Sequence, residues 1–140
     1  MIEQITRSEE DTVDLGRTLA LGLRAGDLVL LSGPLGAGKT AFVRGLAEGL
    51  GCDLDGVSSP TYTIVQEYGG PVTLQHVDLY RVLPAEVDDL ALEELREDAV
   101  MAVEWPDRWH RAPASAIVVT ITPVGESTRR IEADDQRSMR

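Results

Sequence analysis

The segment at 33–40 reads GPLGAGKT and carries the residues whose types and spacing most clearly indicate chemistry. It fits the pattern G-x-x-x-x-G-K-[ST] and lies between an apolar run and an amphipathic segment, the context that this pattern requires. Glycines at this spacing let successive backbone N–H groups turn towards one point and form a concave site for anions. The segment therefore predicts a loop that binds nucleotide phosphates. We expect backbone contacts from Gly33, Gly36, Ala37 and Gly38.

Lys39 is the only lysine in a chain with twelve arginines, and it stands at the lysine position of this pattern. An ammonium group is compact enough to lie between β- and γ-phosphates, whereas a planar guanidinium group prefers paired hydrogen bonds and would crowd the loop. Thr40 supplies a hydroxyl for Mg²⁺, which bridges the same phosphates. Guanine-specific proteins normally carry an N-K-x-D element, but this chain has no asparagine and no second lysine. We therefore predict ATP and Mg²⁺ as cofactors.

Two acidic residues end predicted strands. Glu104 follows five apolar residues in AVMAVE, and Asp78 ends the alternating segment VTLQHVD. A carboxylate at the carboxyl end of a strand beside the loop can hold Mg²⁺ directly or through water. Both residues are catalytic candidates, with a solvated strand end as the alternative, and the apolar strand favours Glu104 for the central position.

Other polar and aromatic residues allow two interpretations. The loop SSPTYT at 58–63 could order its hydroxyls around the γ-phosphate, or it could be a turn that enters a hairpin. His76 and His110 have no metal-ligand spacing, so surface or packing roles are favoured. Packing under a loop is favoured for Trp105 and Trp109, and covering a base or a partner is the alternative.

Periodicity and turn residues predict the elements that position these groups. DLVLLS and AVMAVE indicate strands buried on both faces, which requires helices on each side of a sheet. The predicted strands are 2–6, 27–32, 63–68, 72–78, 99–104, 116–122 and 129–133, and the predicted helices are 8–23, 40–51 and one or two short acidic helices within 84–98. This order predicts a three-layer α/β P-loop NTPase fold with a mostly parallel central sheet, an antiparallel hairpin and helices on both faces. The last two strands are expected to form an antiparallel edge pair, and residues 134–140 to be frayed.

Composition bounds the class of protein. The 140 residues, 43% hydrophobic and 26% charged, fit one globular domain over 1–140. A net charge of −11 argues against strong direct binding of nucleic acid, because phosphate backbones repel such a surface. The apolar runs are far shorter than the roughly 18 residues that cross a bilayer. The acidic N-terminus lacks the features of an export signal, and a single cysteine suits a reducing compartment, so we expect a cytoplasmic protein without a membrane partner.

Several segments in series resemble the bacterial TsaE proteins, small P-loop ATPases required for threonylcarbamoyladenosine in tRNA. The matching segments are SGPLGAGKTAFVRGLAEGLG, SSPTYTIVQEY, HVDLYR with the following DDLALEEL, and VEWPDR. The resemblance spans most of 8–108, and SPTYT, HxDLYR and VEWP in this order are highly specific. It implies an ATPase that hydrolyses ATP slowly alone and works with the partners TsaB and TsaD, which carry out the transfer to adenosine.

The resemblance also implies roles for individual residues. Lys39 and the loop backbone would hold phosphates, Thr40 and Glu104 would ligate Mg²⁺, and Asp78 would be the essential acid near the γ-phosphate. The remaining implied roles are Thr61 as a switch element, Trp105 near the nucleotide site, and Glu9, before the first helix, near the adenine. The sequence departs from the family pattern at two positions. Ala41 replaces a second threonine after Lys-Thr, which puts its α-phosphate contact in doubt, and Ala91 replaces a glycine, so that bend is expected to be more helical.

Two other classes of function remain open at this point. A small-molecule kinase would use the loop at 105–113, with Arg108 and Arg111, as an arginine-bearing lid. A nucleotide-dependent binding module would need ATP but not its hydrolysis. Transfer of phosphate to an acceptor would identify the first class, and function without hydrolysis would identify the second.

Overall fold

The computed structural model describes residues 2–54 and 64–137. Within these ranges the chain forms one seven-stranded sheet. Its strands are β1 (Ile2–Thr6), β2 (Leu28–Ser32), β3 (Val65–Tyr68), β4 (Thr73–Asp78), β5 (Ala99–Glu104), β6 (Ile117–Pro123) and β7 (Arg129–Asp135). The helices are α1 (Glu9–Ala20), α2 (Lys39–Gly49), α3 (Pro84–Val87) and α4 (Leu92–Leu95), with 3₁₀ turns at Asp88–Leu90 and Pro106–Arg108.

The centre of the sheet is parallel and its flanks are antiparallel. The strand order is β1-β7-β6-β2-β5-β4-β3. Strand β2 pairs in parallel with both β5 and β6, and β4 pairs in parallel with β5. The pairs β3/β4, β6/β7 and β1/β7 are antiparallel. This confirms the predicted α/β fold class and places the strand before the glycine loop at the centre of the sheet.

Helices cover both faces of the sheet, because successive apolar side chains of β2 point to opposite faces and all of them are buried. Val29 and Leu31 face the cluster under α1 and α2, whereas Leu28 and Leu30 face the short helices. The first cluster also contains Phe42, Leu46, Val100, Ile117 and Ile121. The second also contains Val77, Val87, Leu92, Met101, Val103 and Trp109. The core thus fixes β2, β4 and β5 from both sides, and these strands carry the site.

Some sequence-based boundaries are wrong. Helix α1 ends at Ala20, and the next three residues form a tightened turn with bonds such as Leu23 N–H to the Ala20 carbonyl at 3.1 Å. The predicted edge pair β6/β7 is not at the edge, because β1 pairs with the outer side of β7. The prediction of a frayed tail is also wrong for residues 134–137, the part of it that the structure describes. Strand β7 continues to Asp135, and Arg137 donates to the Gly22 carbonyl at 2.9 Å.

The bend at Ala91 is not more helical, contrary to expectation. Ala91 adopts the left-handed conformation, with φ 51° and ψ 47°, between the 3₁₀ turn and α4. The two short helices therefore remain separate elements, and the alanine takes the conformation that glycine adopts at lower cost.

Among the residues that the structure describes, no helix has the length and apolar character needed to cross a membrane.

Helices α1 and α2 approach each other closely at small residues. A Cβ atom on Gly45 would lie 2.0 Å from the Val13 carbonyl oxygen and 2.9 Å from Arg17 N. Both neighbouring atoms belong to the backbone of α1, so they cannot move aside as a flexible side chain would. The contact fixes α2, and therefore the loop at its N-terminus, against the rest of the domain.

We predict that Gly45→Ala destabilises the protein by about 3 kcal/mol, because overpacking against a rigid backbone outweighs the roughly 1 kcal/mol that alanine gains in helix propensity. Denaturant unfolding followed by circular dichroism measures the change. Gly69→Ala is the control, since no atom lies within 4 Å of a Cβ built there. A Gly45→Ala protein as stable as the wild type would contradict the close approach of the helices.

Candidate phosphate-binding site

The glycine loop connects the carboxyl end of β2 to the N-terminus of α2. Gly36 and Gly38 have positive φ angles of 75° and 106°, and Gly38 caps α2 without a side-chain hydrogen bond. These conformations favour glycine and turn the chain sharply into the helix. The unpaired N–H groups of the first turn and the positive end of the helix dipole then point into the same space, as phosphate binding requires.

Lys39 is buried at the start of α2, with 4% of its surface exposed. Its Nζ donates to the Gly33 carbonyl at 2.6 Å and lies 3.8 Å from the centroid of the Trp105 ring. Burial lowers the pKa of the Lys39 ammonium below its usual value, and the carboxylates of Glu104, Asp78 and Asp107 only partly offset that effect. The loop therefore holds a buried cation whose charged form an anionic ligand would stabilise.

The two acids that were predicted at strand ends lie side by side. Asp78 and Glu104 are Cα partners in the last register position of β4 and β5. Glu104 is 4% exposed, whereas Asp78 is exposed and its Oδ1 accepts from Tyr80 N at 3.0 Å. The pair thus offers one buried and one accessible carboxylate beside the glycine loop.

His76 has a role that the sequence interpretation missed. It is buried, and its Nε2 shares a hydrogen bond of 2.6 Å with Oε2 of Glu104. The predicted surface role of His76 is therefore wrong, whereas its burial agrees with the packing role, to which the imidazole adds a hydrogen bond to Glu104. Residues i and i+2 of a strand face the same side, so the spacing of His76 and Asp78 was the available signal.

Trp105 lies directly over the lysine. Its backbone is left-handed, with φ 60° and ψ 51°, which ends β5 and turns the chain. The ring packs at an angle against Tyr80, with centroids 5.1 Å apart, and covers Lys39. Trp105 thus lies at the cavity, where the family resemblance places it, and its covering of a base or a partner stays a prediction.

A cavity of about 520 Å³ joins these groups and has the size of a small-molecule site. It is lined by Ser8, Glu9, Thr12, Leu35, Gly36, Ala37, Gly38, Lys39, Thr40, Ala41, Arg44, Asp78, Tyr80, Glu104, Trp105, Glu126, Ser127 and Arg129. Of the residues singled out from the sequence, Gly33 contributes its carbonyl to Lys39, and Thr61 lies outside the described residues. Glu9 is the first residue of α1 rather than preceding it, and it pairs with Arg44 at 3.4 Å.

The donors at the cavity fit Mg²⁺ better than a transition metal. Thr40 and Glu104 both line it and offer hard oxygen ligands. Over 2–54 and 64–137 no group of three or more His, Cys, Asp or Glu side chains could hold a metal ion. Mg²⁺ commonly keeps several waters and binds through few protein ligands plus phosphates, so this sparse donor set suits it.

Arg129, at the start of β7 and in the lining of the cavity, holds the glycine loop by hydrogen bonds, and the sequence interpretation missed it. Its Nε donates to the Ala37 carbonyl at 2.9 Å, and its Nη2 to the Gly36 carbonyl at 3.4 Å. Its Nη1 donates to the Gly125 and Thr128 carbonyls at 3.1 Å each. Because N–H groups that turn inward leave carbonyls turned outward, a guanidinium group with five donors is suited to bind them.

The arginines proposed for a kinase lid lie elsewhere. Neither Arg108 nor Arg111 lines the cavity. Arg108 Nη1 donates to the Val82 carbonyl at 3.2 Å, which ties it to the chain before α3. No arrangement of these described residues favours the kinase alternative.

The central parallel sheet, the loop after β2 and the helix that follows define an α/β domain with the P-loop NTPase fold. The crystal structure of Bacillus subtilis YdiB superposes on the chain with a TM-score of 0.78 and 31% sequence identity, and the match covers 96% of this chain and 84% of YdiB. This agreement extends over nearly the whole domain and is not limited to the loop.

The chain belongs to the TsaE family. The family model described as threonylcarbamoyl adenosine biosynthesis protein TsaE matches residues 6–131. A tRNA threonylcarbamoyladenosine biosynthesis protein TsaE from Nostoc is 40% identical, over 94% of this chain and 86% of the relative. The TsaE protein of Treponema pallidum is 35% identical, over 91% and 96% of the two chains. The resemblance inferred from the sequence motifs is confirmed.

We predict that Arg129→Ala increases amide hydrogen exchange in the glycine loop by about tenfold or more. Each hydrogen bond from a charged donor contributes roughly 1.5–3 kcal/mol, and about 1.4 kcal/mol of lost protection corresponds to a factor of ten. Exchange is measured by mass spectrometry on peptides covering 33–40. Arg130→Ala is the matched control, because among the described residues this neighbour on β7 pairs with Glu132, at 3.8 Å, and not with the loop. Unchanged protection in Arg129→Ala would show that the loop holds its shape without this brace.

Proposed function

We propose that the protein binds Mg-ATP, hydrolyses it slowly, and acts with the partner proteins TsaB and TsaD in the threonylcarbamoyladenosine modification of tRNA. The observation that carries the proposal is the convergence of Lys39, Asp78 and Glu104 on the cavity of the glycine loop. Family membership supports the connection to this modification. The absence of an N-K-x-D element supports ATP over GTP.

Phosphate binding rests on Lys39 and the loop backbone. An ammonium group has three N–H donors, and the bond to the Gly33 carbonyl uses one of them. The other donors and the ammonium charge are then available to phosphate oxygens. The start of α2 adds oriented N–H groups at the same point, which offset a further part of the charge of a triphosphate.

Hydrolysis rests on positioning and on stabilisation of charge. Mg²⁺, held by Thr40 and Glu104, would neutralise charge on the phosphates. The hydrogen bond from His76 fixes the orientation of the Glu104 carboxylate. Asp78 is accessible at the cavity and is the candidate to orient the attacking water, with Glu104 as the alternative.

The charge of the chain supports a role for partners. A net charge of −11 disfavours direct contact with tRNA, so TsaB and TsaD would hold the nucleic acid. This protein would supply a nucleotide-dependent step to their complex. The rate of hydrolysis alone and in the complex tests this division of roles.

We predict that Lys39→Ala lowers ATP affinity at least a hundredfold and abolishes turnover, because the buried cation that balances the triphosphate is lost. Calorimetry with Mg-ATP measures binding, and phosphate release measures turnover, each with and without TsaB and TsaD. Arg81→Ala is the control, since this exposed arginine lies outside the cavity.

Three outcomes would separate the alternatives. Wild-type turnover in Lys39→Ala would refute the assignment of the loop. Phosphate transferred to an acceptor rather than released would indicate a kinase. A Glu104→Gln protein that binds ATP, does not hydrolyse it and still supports the modification would indicate a binding module.

ATP affinity should fall as the pH rises through the pKa of Lys39. Burial sets that pKa below 10.5 in the free protein, whereas a bound triphosphate favours the charged form and raises it. Between the two pKa values, binding takes up a proton, so affinity is full below this window and declines within it. Calorimetry at a series of alkaline pH values, in buffers with different ionisation enthalpies, measures the proton uptake. An affinity that stays constant up to pH 10.5 would contradict the lowered pKa.

A further inference from the structure

The hydrogen bond between His76 and Glu104 engages one oxygen of the acid that is proposed to bind Mg²⁺. His76 Nε2 and Glu104 Oε2 lie 2.6 Å apart, and the two residues are buried, with 9% and 4% of their surfaces exposed. A carboxylate can only accept hydrogen bonds, so the proton lies on Nε2 and the imidazole donates it. His76 precedes by two residues Asp78, the Cα partner of Glu104, so both side chains lie on the same face of neighbouring strands. Oε2 is therefore engaged inside the protein.

The other carboxylate oxygen of Glu104 opens on the cavity. Among the residues that the structure describes, Oε1 has no hydrogen-bond partner. Over the same ranges, Arg96 Nη1 is the one fully buried side-chain N or O atom without such a partner, so Oε1, which also has none, keeps contact with solvent. Glu104 lines the cavity of the glycine loop together with Thr40. The protein thus presents a single free oxygen of this carboxylate to a cation.

Mg²⁺ and Ca²⁺ differ in the oxygens that they accept. Mg²⁺ takes about six oxygens in a near-octahedral shell, keeps several waters and binds through one or two carboxylates together with phosphates. Ca²⁺ takes roughly six to eight oxygens, and a carboxylate often supplies both of its oxygens to it. At Glu104, a cation that used both oxygens would have to share Oε2 with the proton donated by His76. The hydrogen bond therefore disfavours the cation that gains most from the second oxygen.

We propose that His76 is a positioning residue that restricts Glu104 to binding a cation through Oε1, and that this restriction makes the site selective for Mg²⁺ over Ca²⁺. The proposal rests on the function proposed above, because binding of Mg²⁺ at Glu104 is part of that function. The loss of one ligand oxygen matters here, since the described residues contain no group of three or more His, Cys, Asp or Glu side chains that could supply others.

Binding of a non-hydrolysable ATP analogue, measured by calorimetry with saturating Mg²⁺ and with saturating Ca²⁺, tests the proposal without turnover. The ratio of the two affinities is the readout, because a general loosening of the fold lowers both affinities together. We expect the wild type to bind the analogue more tightly with Mg²⁺. His76→Asn should lower the ratio about tenfold, within the range that hydrogen-bond partners of metal ligands commonly contribute. The asparagine amide reaches only as far as Nδ1 of the imidazole, so Oε2 loses its donor.

Two control variants separate the hydrogen bond from the packing of β4. His76→Gln places an amide N–H where Nε2 lies, so it can still donate to Oε2 and should keep the wild-type ratio. Gln75→Ala changes a neighbouring buried residue whose amide donates to Glu67 Oε2 at 3.2 Å, and it should also keep the ratio. Thr40 and Asp78 are the same in all these proteins, so a change in the ratio reports on Glu104.

Three results would overturn the proposal: an unchanged ratio in His76→Asn, an equal fall in His76→Gln, or a wild type that binds the analogue equally well with both cations. The comparison of the two cations in the wild type needs no variant, so it decides even if His76→Asn does not fold. A wild type that binds the analogue with neither cation would instead refute the function proposed above, and this inference with it.

Discussion

The burial of the Lys39 ammonium is the constraint on which the site depends. A cation removed from water is costly unless nearby groups compensate for it. Here the compensation comes from the Gly33 carbonyl, the face of the Trp105 ring and the carboxylates at the ends of β4 and β5. These groups come from three separate segments, and they meet only because β2, β5 and β4 are parallel neighbours. The parallel strands at the centre of the sheet therefore bring together the groups that compensate for the burial of Lys39, in addition to forming the hydrophobic core.

The sequence predicted the parts of the fold that local patterns specify. Apolar runs identified β2 and β5, and the glycines fixed the turn between β2 and α2. Strand β1 was predicted with its observed bounds, but its place in the sheet was not, because four of its five residues are exposed and its position follows from pairing with β7. The continuation of β7 to Asp135 likewise depends on pairing with β6, for which the polar sequence at that end gives no local signal.

The site divides in the same way. Residues within the loop or at the ends of apolar strands could be predicted, since their positions follow from the elements that carry them. The partners of those residues could not, because the contact from His76 to Glu104 joins positions 28 apart and that from Arg129 to Ala37 joins positions 92 apart. Both contacts depend on strand order and register, which emerge only when the sheet is assembled.

The left-handed conformation of Trp105 allows two consecutive residues, Glu104 and Trp105, to line the same cavity. In a continued strand the side chains of Glu104 and Trp105 would point to opposite faces of the sheet. A left-handed residue other than glycine costs roughly 1–2 kcal/mol, but it ends β5 and turns the ring back over Lys39 while Glu104 stays in register beside Asp78. The contacts of the ring with Lys39 and Tyr80 offset this cost. The strained backbone of Trp105 therefore lies at the point where Glu104 and the Trp105 ring both approach Lys39.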